Sequence, residues 1–116
     1  LDIAMSDKPQ GRGYARLRET TNAPWPHFDH DEEVSEFPAH EFHYSGVCEV
    51  TEELSFAYEV LRGTGVDGKH DGIVYRNTLS SYTHLRDTAC HRWTHRFLAH
   101  IERCGFSRNL PTREVR

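Results

Sequence analysis

Residues 54–75 read LSFAYEVLRGTGVDGKHDGIVY, and the fold turns on what this stretch does at its glycines. Gly63, Gly65 and Gly68 satisfy the GxGxxG spacing. Gly63 through Gly68-Lys69 also meets every position of a Walker A loop except the last, where His70 stands in place of Ser or Thr. Both phosphate loops need a helix N-terminus immediately afterwards, so that backbone N–H groups and the helix dipole meet the phosphate. Here Asp71-Gly72 intervenes and Ile73-Val74-Tyr75 follows, a β-branched run. The stretch therefore reads as a hairpin. One strand covers Leu54 to Leu61 with Phe56, Tyr58 and Val60 on one face, residues 63–68 turn, and Gly72 to Tyr75 resumes as a strand.

Outward from this hairpin, Tyr14 to Thr20 follows Gly11 and Gly13 and reads as a strand. Phe37 to Ser45 reads as another, closed by Gly46, and Leu79 to Leu85 as a short one. Residues 22–36 form a polar loop opened by Pro24-Trp25-Pro26, since Pro forbids helix continuation there. The only convincing helix spans His91 to Cys104. Trp93, Phe97, Ile101 and Cys104 make one apolar stripe with Leu98 beside it, and Gly105 stands in the terminating position. Residues 105–116 are a polar tail containing Pro111, and residues 1–104 are the folded part. The fold class is α/β and strand-rich. Five strands with one helix is a lopsided set that needs more helix or a second sheet to cover it.

Composition agrees with a thin core. Leu, Ile, Val and Phe make up 24 of 116 residues and the net charge is -4, so the chain is globular with little apolar material to spare. No run approaches 18 apolar residues and no secretory signal opens the chain, which excludes a membrane span. A pI near 6.1 is not the footprint of a nucleic-acid binder. Cys48, Cys90 and Cys104 are odd in number and widely spaced, so neither a disulfide framework nor a CxxC site is present, and the cytoplasm is the expected compartment. Leu rather than Met at position 1 is read as the continuation of something longer. Asp29, Asp31, Glu32, Glu33 and Glu36 read as a solvated loop. Arg92, Arg96 and Arg103 read as a solvated helix face.

Nine histidines stand out. His40-Glu41-Phe42-His43-Tyr44 misses the HExxH zinc pattern by one residue. On a strand, His40 and His43 point to opposite faces while Glu41 and His43 share one. That geometry disfavours a two-His metal clamp. It fits either a polar pair projecting toward a cleft or a buried His satisfied by a carboxylate. His91 and His95 are spaced i,i+4, yet with His100 rotated away they read as solvated, as do His27 and His30. No metal site is expected. His84, in Ser81-Tyr82-Thr83-His84-Leu85-Arg86, ends a short strand and precedes a loop, a usual place for a catalytic side chain. As a base it needs a nucleophile, and none of the three cysteines sits in a small-residue elbow after a strand.

Taken together, Asp2-Ile3-Ala4-Met5, Lys8-Pro9-Gln10-Gly11-Arg12-Gly13-Tyr14, Ala39-His40-Glu41-Phe42-His43-Tyr44-Ser45, Asp67-Gly68-Lys69-His70-Asp71-Gly72-Ile73-Val74-Tyr75 and Ser81-Tyr82-Thr83-His84-Leu85 resemble, in this order, one family. It is the C-terminal class I glutamine amidotransferase domain of cobyrinate (hydrogenobyrinate) a,c-diamide synthases, over residues 1–104. The resemblance implies the C-terminal half of a flavodoxin-like domain in an ATP-dependent, glutamine-hydrolysing amidoligase of cobalamin biosynthesis. His84 matches the catalytic His of a Cys-His glutaminase, and Arg86 stands where related glutaminases place a triad Glu. Glu41, His43, Tyr44 and Ser45 match a binding signature near that site. ATP and Mg2+ would belong to an N-terminal synthase domain and none to this segment. The partners implied are glutamine, a corrinoid or other tetrapyrrole, and the rest of the same chain, with room for a homodimer. The nucleophilic Cys is expected upstream of Leu1, leaving this segment inactive alone. A sirohaem amidase and a non-catalytic His-rich metal-binding or partner-binding module stay open as alternatives.

Overall fold

The structure, a computed structural model, describes residues 1–27, 36–50, 53–89 and 91–113, with side chains described as far as residue 105. The strands are β1 (Asp2–Met5), β2 (Gly11–Glu19), β3 (Glu36–His43), β4 (Ser45–Glu49), β5 (Ser55–Arg62), β6 (His70–Tyr75), β7 (Thr78–Ser80) and β8 (Thr83–His84), followed by one helix, α1 (Trp93–Arg113). Six strands form one sheet in the order β7-β6-β5-β2-β3-β8, and β1 pairs with β4 in a separate ribbon. Every pairing is antiparallel. The parallel order of a doubly wound sheet is therefore not found among the described strands. Among the described residues the chain is strand-rich α/β with one helix.

The 54–75 stretch is the hairpin that its glycines predict. β5 and β6 pair antiparallel, and Gly63, Gly65 and Gly68 all take positive φ in the connection. Glycine tolerates that conformation at little cost. Phe56, Tyr58 and Val60 are all withdrawn from solvent, as their alternation requires, and Ala57 is buried as well. The strand expected over 37–45 breaks at Tyr44 into β3 and β4, and the one expected over 79–85 into β7 and β8. The acidic residues Asp29, Asp31, Glu32 and Glu33, together with His30, lie outside the described residues. Glu36 belongs to β3.

The apolar core is small: Ala15, Leu17, Phe37, Ala39, Ala57 and Tyr58, with Phe37 packed edge-on against Tyr58 at 5.5 Å. The body is flattened, 53 × 33 × 22 Å. No helix among the described residues is long and apolar enough to cross a membrane.

The helix departs from expectation in two ways. It runs through Gly105, which has no left-handed φ, to Arg113, so part of the expected tail is helical. A helix-interior glycine costs only about 1 kcal/mol relative to alanine and stops nothing unless its φ turns positive. The expected apolar stripe is also largely in solvent, with Phe97, Leu98 and Ile101 exposed, whereas Arg96 is 4% exposed. The face turned to the sheet is selected by a buried ion pair. Arg96 clasps Glu19 of β2 through both Nη atoms and donates from Nε to the Pro26 carbonyl and from Nη2 to that of Trp25. Arg96 is thus not part of a solvated face. Nor is His91 solvated: its ring is stacked on Phe37 at 3.7 Å.

Candidate functional site

β3 alternates strictly. Phe37, Ala39 and Glu41 are buried and Pro38, His40 and Phe42 exposed, so Glu41 and His43 share the inward face. Register places Gly11 opposite His43 and Gly13 opposite Glu41, and the side chains missing at Gly11 and at Gly63 leave the room that the pair occupies. A Cβ built on Gly11 would lie 2.1 Å from His43 Nε2 and 2.6 Å from Glu41 Oε2. On Gly63 it would lie 2.7 Å from Glu41 Oε1. The pair is roofed by glycines.

Within this cradle the hydrogen bonds are complete. Thr64 N–H donates to Glu41 Oε1 (2.6 Å), and Gly65 N–H and His43 Nε2 donate to Oε2 (3.1 and 3.0 Å). Burial alone would raise the Glu41 carboxyl, but the His43 hydrogen bond and the two amides outweigh it and hold the carboxyl below its ordinary value. His43 Nδ1 faces the Ser45 carbonyl oxygen at 2.8 Å. Both ring nitrogens of His43 thus face fixed acceptors, the Glu41 carboxylate and the Ser45 carbonyl. Its ring stacks on Tyr82 at 3.9 Å, and the Tyr82 hydroxyl meets Ser45 Oγ at 3.0 Å. Tyr44 stays outside, half-exposed against the Phe42 ring. Of the two readings of Glu41 and His43, the structure realises the buried, carboxylate-satisfied histidine.

His84 ends β8 and is exposed. Thr83 pairs with Glu41 and His84 with His40, so Thr83 points inward and His84 to the opposite face. His84 and Thr83 both line a cleft of about 570 Å³, with Trp25, Leu85, Trp93, Phe97 and His100 also among its walls. Neither Cys48 nor Cys104 lines this cleft. Cys48 is exposed, Cys104 Sγ lies 3.6 Å from His100 Nε2, and Cys90 is outside the described residues. Among the described residues, no group of three or more His, Cys, Asp or Glu could hold a metal ion.

Two buried groups had no functional reading in the sequence. Asp71 is fully buried in β6 and accepts from Tyr82 N (3.1 Å), Thr83 N (2.9 Å) and Thr83 Oγ1 (2.6 Å). Glu19 is gripped by Arg96, with His27 Nε2 at 2.9 Å and His91 Nε2 at 3.5 Å. Burial would raise the Glu19 carboxyl, but the adjacent His91 ring, the Arg96 hydrogen bonds and the Arg96 and His27 charges draw it down to about 2. Only the Asp-Gly step before a β-branched run hinted at Asp71. Nothing near Glu19 hinted at its partner.

The chain is 45% identical over 109 residues to the cobyrinate a,c-diamide synthase of Magnetococcus marinus, an alignment covering 92% of this chain and 22% of that protein. It is 42% identical over 85 residues to the Archaeoglobus fulgidus protein of the same name, covering 73% and 17%. The corresponding Methanosarcina acetivorans protein is 47% identical over 57 residues, covering 49% and 12%. The chain thus spans about a fifth or less of the length of these curated relatives. No protein-family model matches the chain, and no solved structure is similar to it.

Proposed function

This chain belongs with the cobyrinate a,c-diamide synthases, and on that premise we propose that it forms the C-terminal part of their class I, flavodoxin-like glutamine amidotransferase domain. The enzyme would be an ATP-dependent amidoligase that converts the a and c side-chain carboxylates of cobyrinate or hydrogenobyrinate to amides with ammonia from glutamine. His84 is the base of its Cys-His glutaminase. The observation that carries this assignment is the placement of His84 at the end of a clamped strand, exposed along a cleft, while His43 has both nitrogens committed.

In the proposed reaction His84 takes the Sγ–H proton of a cysteine contributed from elsewhere in the full-length protein, and the thiolate attacks the glutamine side-chain amide carbon. The C–N bond breaks as the proton passes from His84 to the departing nitrogen, releasing ammonia. Water then cleaves the thioester to glutamate, with His84 again receiving a proton. Glu41, His43 and Ser45 frame the strand that presents His84, and Tyr44 is the member of that segment free to touch substrate. ATP and Mg2+ would be held outside this chain, whose glycine-rich turn is a hairpin followed by a strand rather than a helix N-terminus.

The test is His84→Ala in the full-length enzyme. Glutamine-driven amidation falls by at least a hundredfold while ammonia-driven amidation is kept, because only the proton carrier is lost. Glutaminase activity at the parental rate in that variant would overturn the assignment.

A further inference from the structure

β6 and β8 are separated in the sheet by β5, β2 and β3. At the ordinary spacing between strands a flat sheet would hold them about 19 Å apart. Asp71 of β6 nevertheless hydrogen-bonds the residues that begin β8, so the sheet curls until its two ends meet across the inner face. β8 has only two ladder positions, His40↔His84 and Glu41↔Thr83, too few to fix an edge strand unaided. The carboxylate supplies what the ladder lacks, three short hydrogen bonds to the two residues preceding His84. Its own place is set by glycines on both sides. Gly72 takes φ 70°, letting β6 close on the Tyr58 ring, and a Cβ on Gly65 would lie 3.0 Å from the Asp71 Cβ.

We propose that Asp71 is a positioning residue for His84, acting through Tyr82 and Thr83; this rests on the reading of His84 as the glutaminase base. Asp71 is fully buried and is not among the residues that line the cleft, whereas Thr83, which it holds, lines it beside His84; Asp71 touches no reacting atom. Its contribution is to hold the backbone of 82–83, and with it the imidazole, within the tolerance that proton transfer to a nucleophile demands. Displacement by about 1 Å at such a site costs on the order of a hundredfold in rate. Asp71→Asn keeps the shape but turns one acceptor atom into a donor, facing either Thr83 N–H or Tyr82 N–H.

The experiment compares Asp71→Asn, Thr83→Val, Thr83→Ser and His84→Ala in the full-length enzyme, measuring glutamine-driven and ammonia-driven amidation. Asp71→Asn is expected to lower kcat with glutamine by about 30- to 100-fold, with KM for glutamine within threefold and the ammonia-driven rate within twofold. Thr83→Val lowers glutamine-driven kcat by a smaller factor, and Thr83→Ser, which restores the hydroxyl, recovers it. If Asp71→Asn also destroys the ammonia-driven rate, the Val and Ser pair decides: a loss with Val that Ser repairs upholds the proposal, and equal parental rates overturn it. Parental glutamine-driven kcat in Asp71→Asn, with His84→Ala inactive, overturns the positioning role alone. Parental activity in His84→Ala overturns the assignment beneath it.

Discussion

Replacing Arg96 with Met keeps the aliphatic stem of a buried side chain and deletes its guanidinium. The deletion leaves Glu19, 8% exposed at its side chain, without its two-pronged partner, and strips the Pro26 and Trp25 carbonyls of a donor. Removing one member of a buried pair costs about 3–5 kcal/mol, because the remaining charge stays desolvated. An independent route gives a similar size. The Glu19 carboxyl is drawn from 4.5 to about 2, which corresponds to about 3 kcal/mol of preferential stabilisation of the carboxylate, shared among Arg96, His91 and His27. Against a total of about 5–15 kcal/mol for a domain, the Arg96→Met loss is large. The assay is urea unfolding followed by tryptophan fluorescence. Trp25 and Trp93, the chain's two tryptophans, stack at 5.8 Å beside the pair and report on it directly. Glu19→Gln combined with Arg96→Met should be less destabilised than the sum of the single changes, since no unpartnered charge remains. A loss below about 1 kcal/mol for Arg96→Met, or strict additivity in the double variant, would refute the claim that this pair fixes the helix to the sheet.

The same carboxyl predicts an acid dependence. Its folded value lies below its unfolded one, so its contribution is complete above about pH 5 and vanishes as pH falls toward 2; unfolding free energy should fall by about 3 kcal/mol across that window, and Glu19→Gln should flatten the fall. Gly11→Ala should cost about 3 kcal/mol in a thermal or urea titration, because its Cβ would fall on His43 and Glu41, whose positions are held from several sides. Phe37→Ala should cost about 3–5 kcal/mol, since Phe37 is fully buried between Tyr58 and His91. Leu98→Ser should change stability by under about 0.5 kcal/mol, Leu98 being 57% exposed on the outer face of the helix.

What could be read in advance follows the range over which each feature is decided. Period-two alternation and glycine chemistry are local, so the β5–β6 hairpin and the pairing of Glu41 with His43 on one face of β3 were legible from a few residues each. Which face of β3 turns inward was not. The two candidate sets are Phe37, Ala39, Glu41 and His43 against Pro38, His40, Phe42 and Tyr44, and hydropathy does not decide between them. The deciding signal is the pair of glycines that face the carboxylate and imidazole, Gly11 and Gly63, and it appears only once β2, β3 and the β5–β6 turn are brought together. β1 escaped notice because all of its residues are exposed and its partner β4 lies some forty residues away.

The helix face and Asp71 share a further cause. Glu19 joins β2 to the helix across 77 residues, Glu41 joins β3 to the β5–β6 turn across 23, and Asp71 joins β6 to β8 across 12. Each carboxylate is buried because it accepts donors from a second element, and each donor is unremarkable where it stands in the sequence. With 24 strong aliphatic and phenylalanine residues in the chain and a buried apolar cluster of six among the described residues, these contacts supply connections that a larger core would make by packing. They also supply direction. Apolar contacts tolerate repacking and sliding, whereas a carboxylate holding two or three directed donors does not. The polar clamp therefore sits where a ladder of only two pairs, His40↔His84 and Glu41↔Thr83, would otherwise leave an edge strand free to slide.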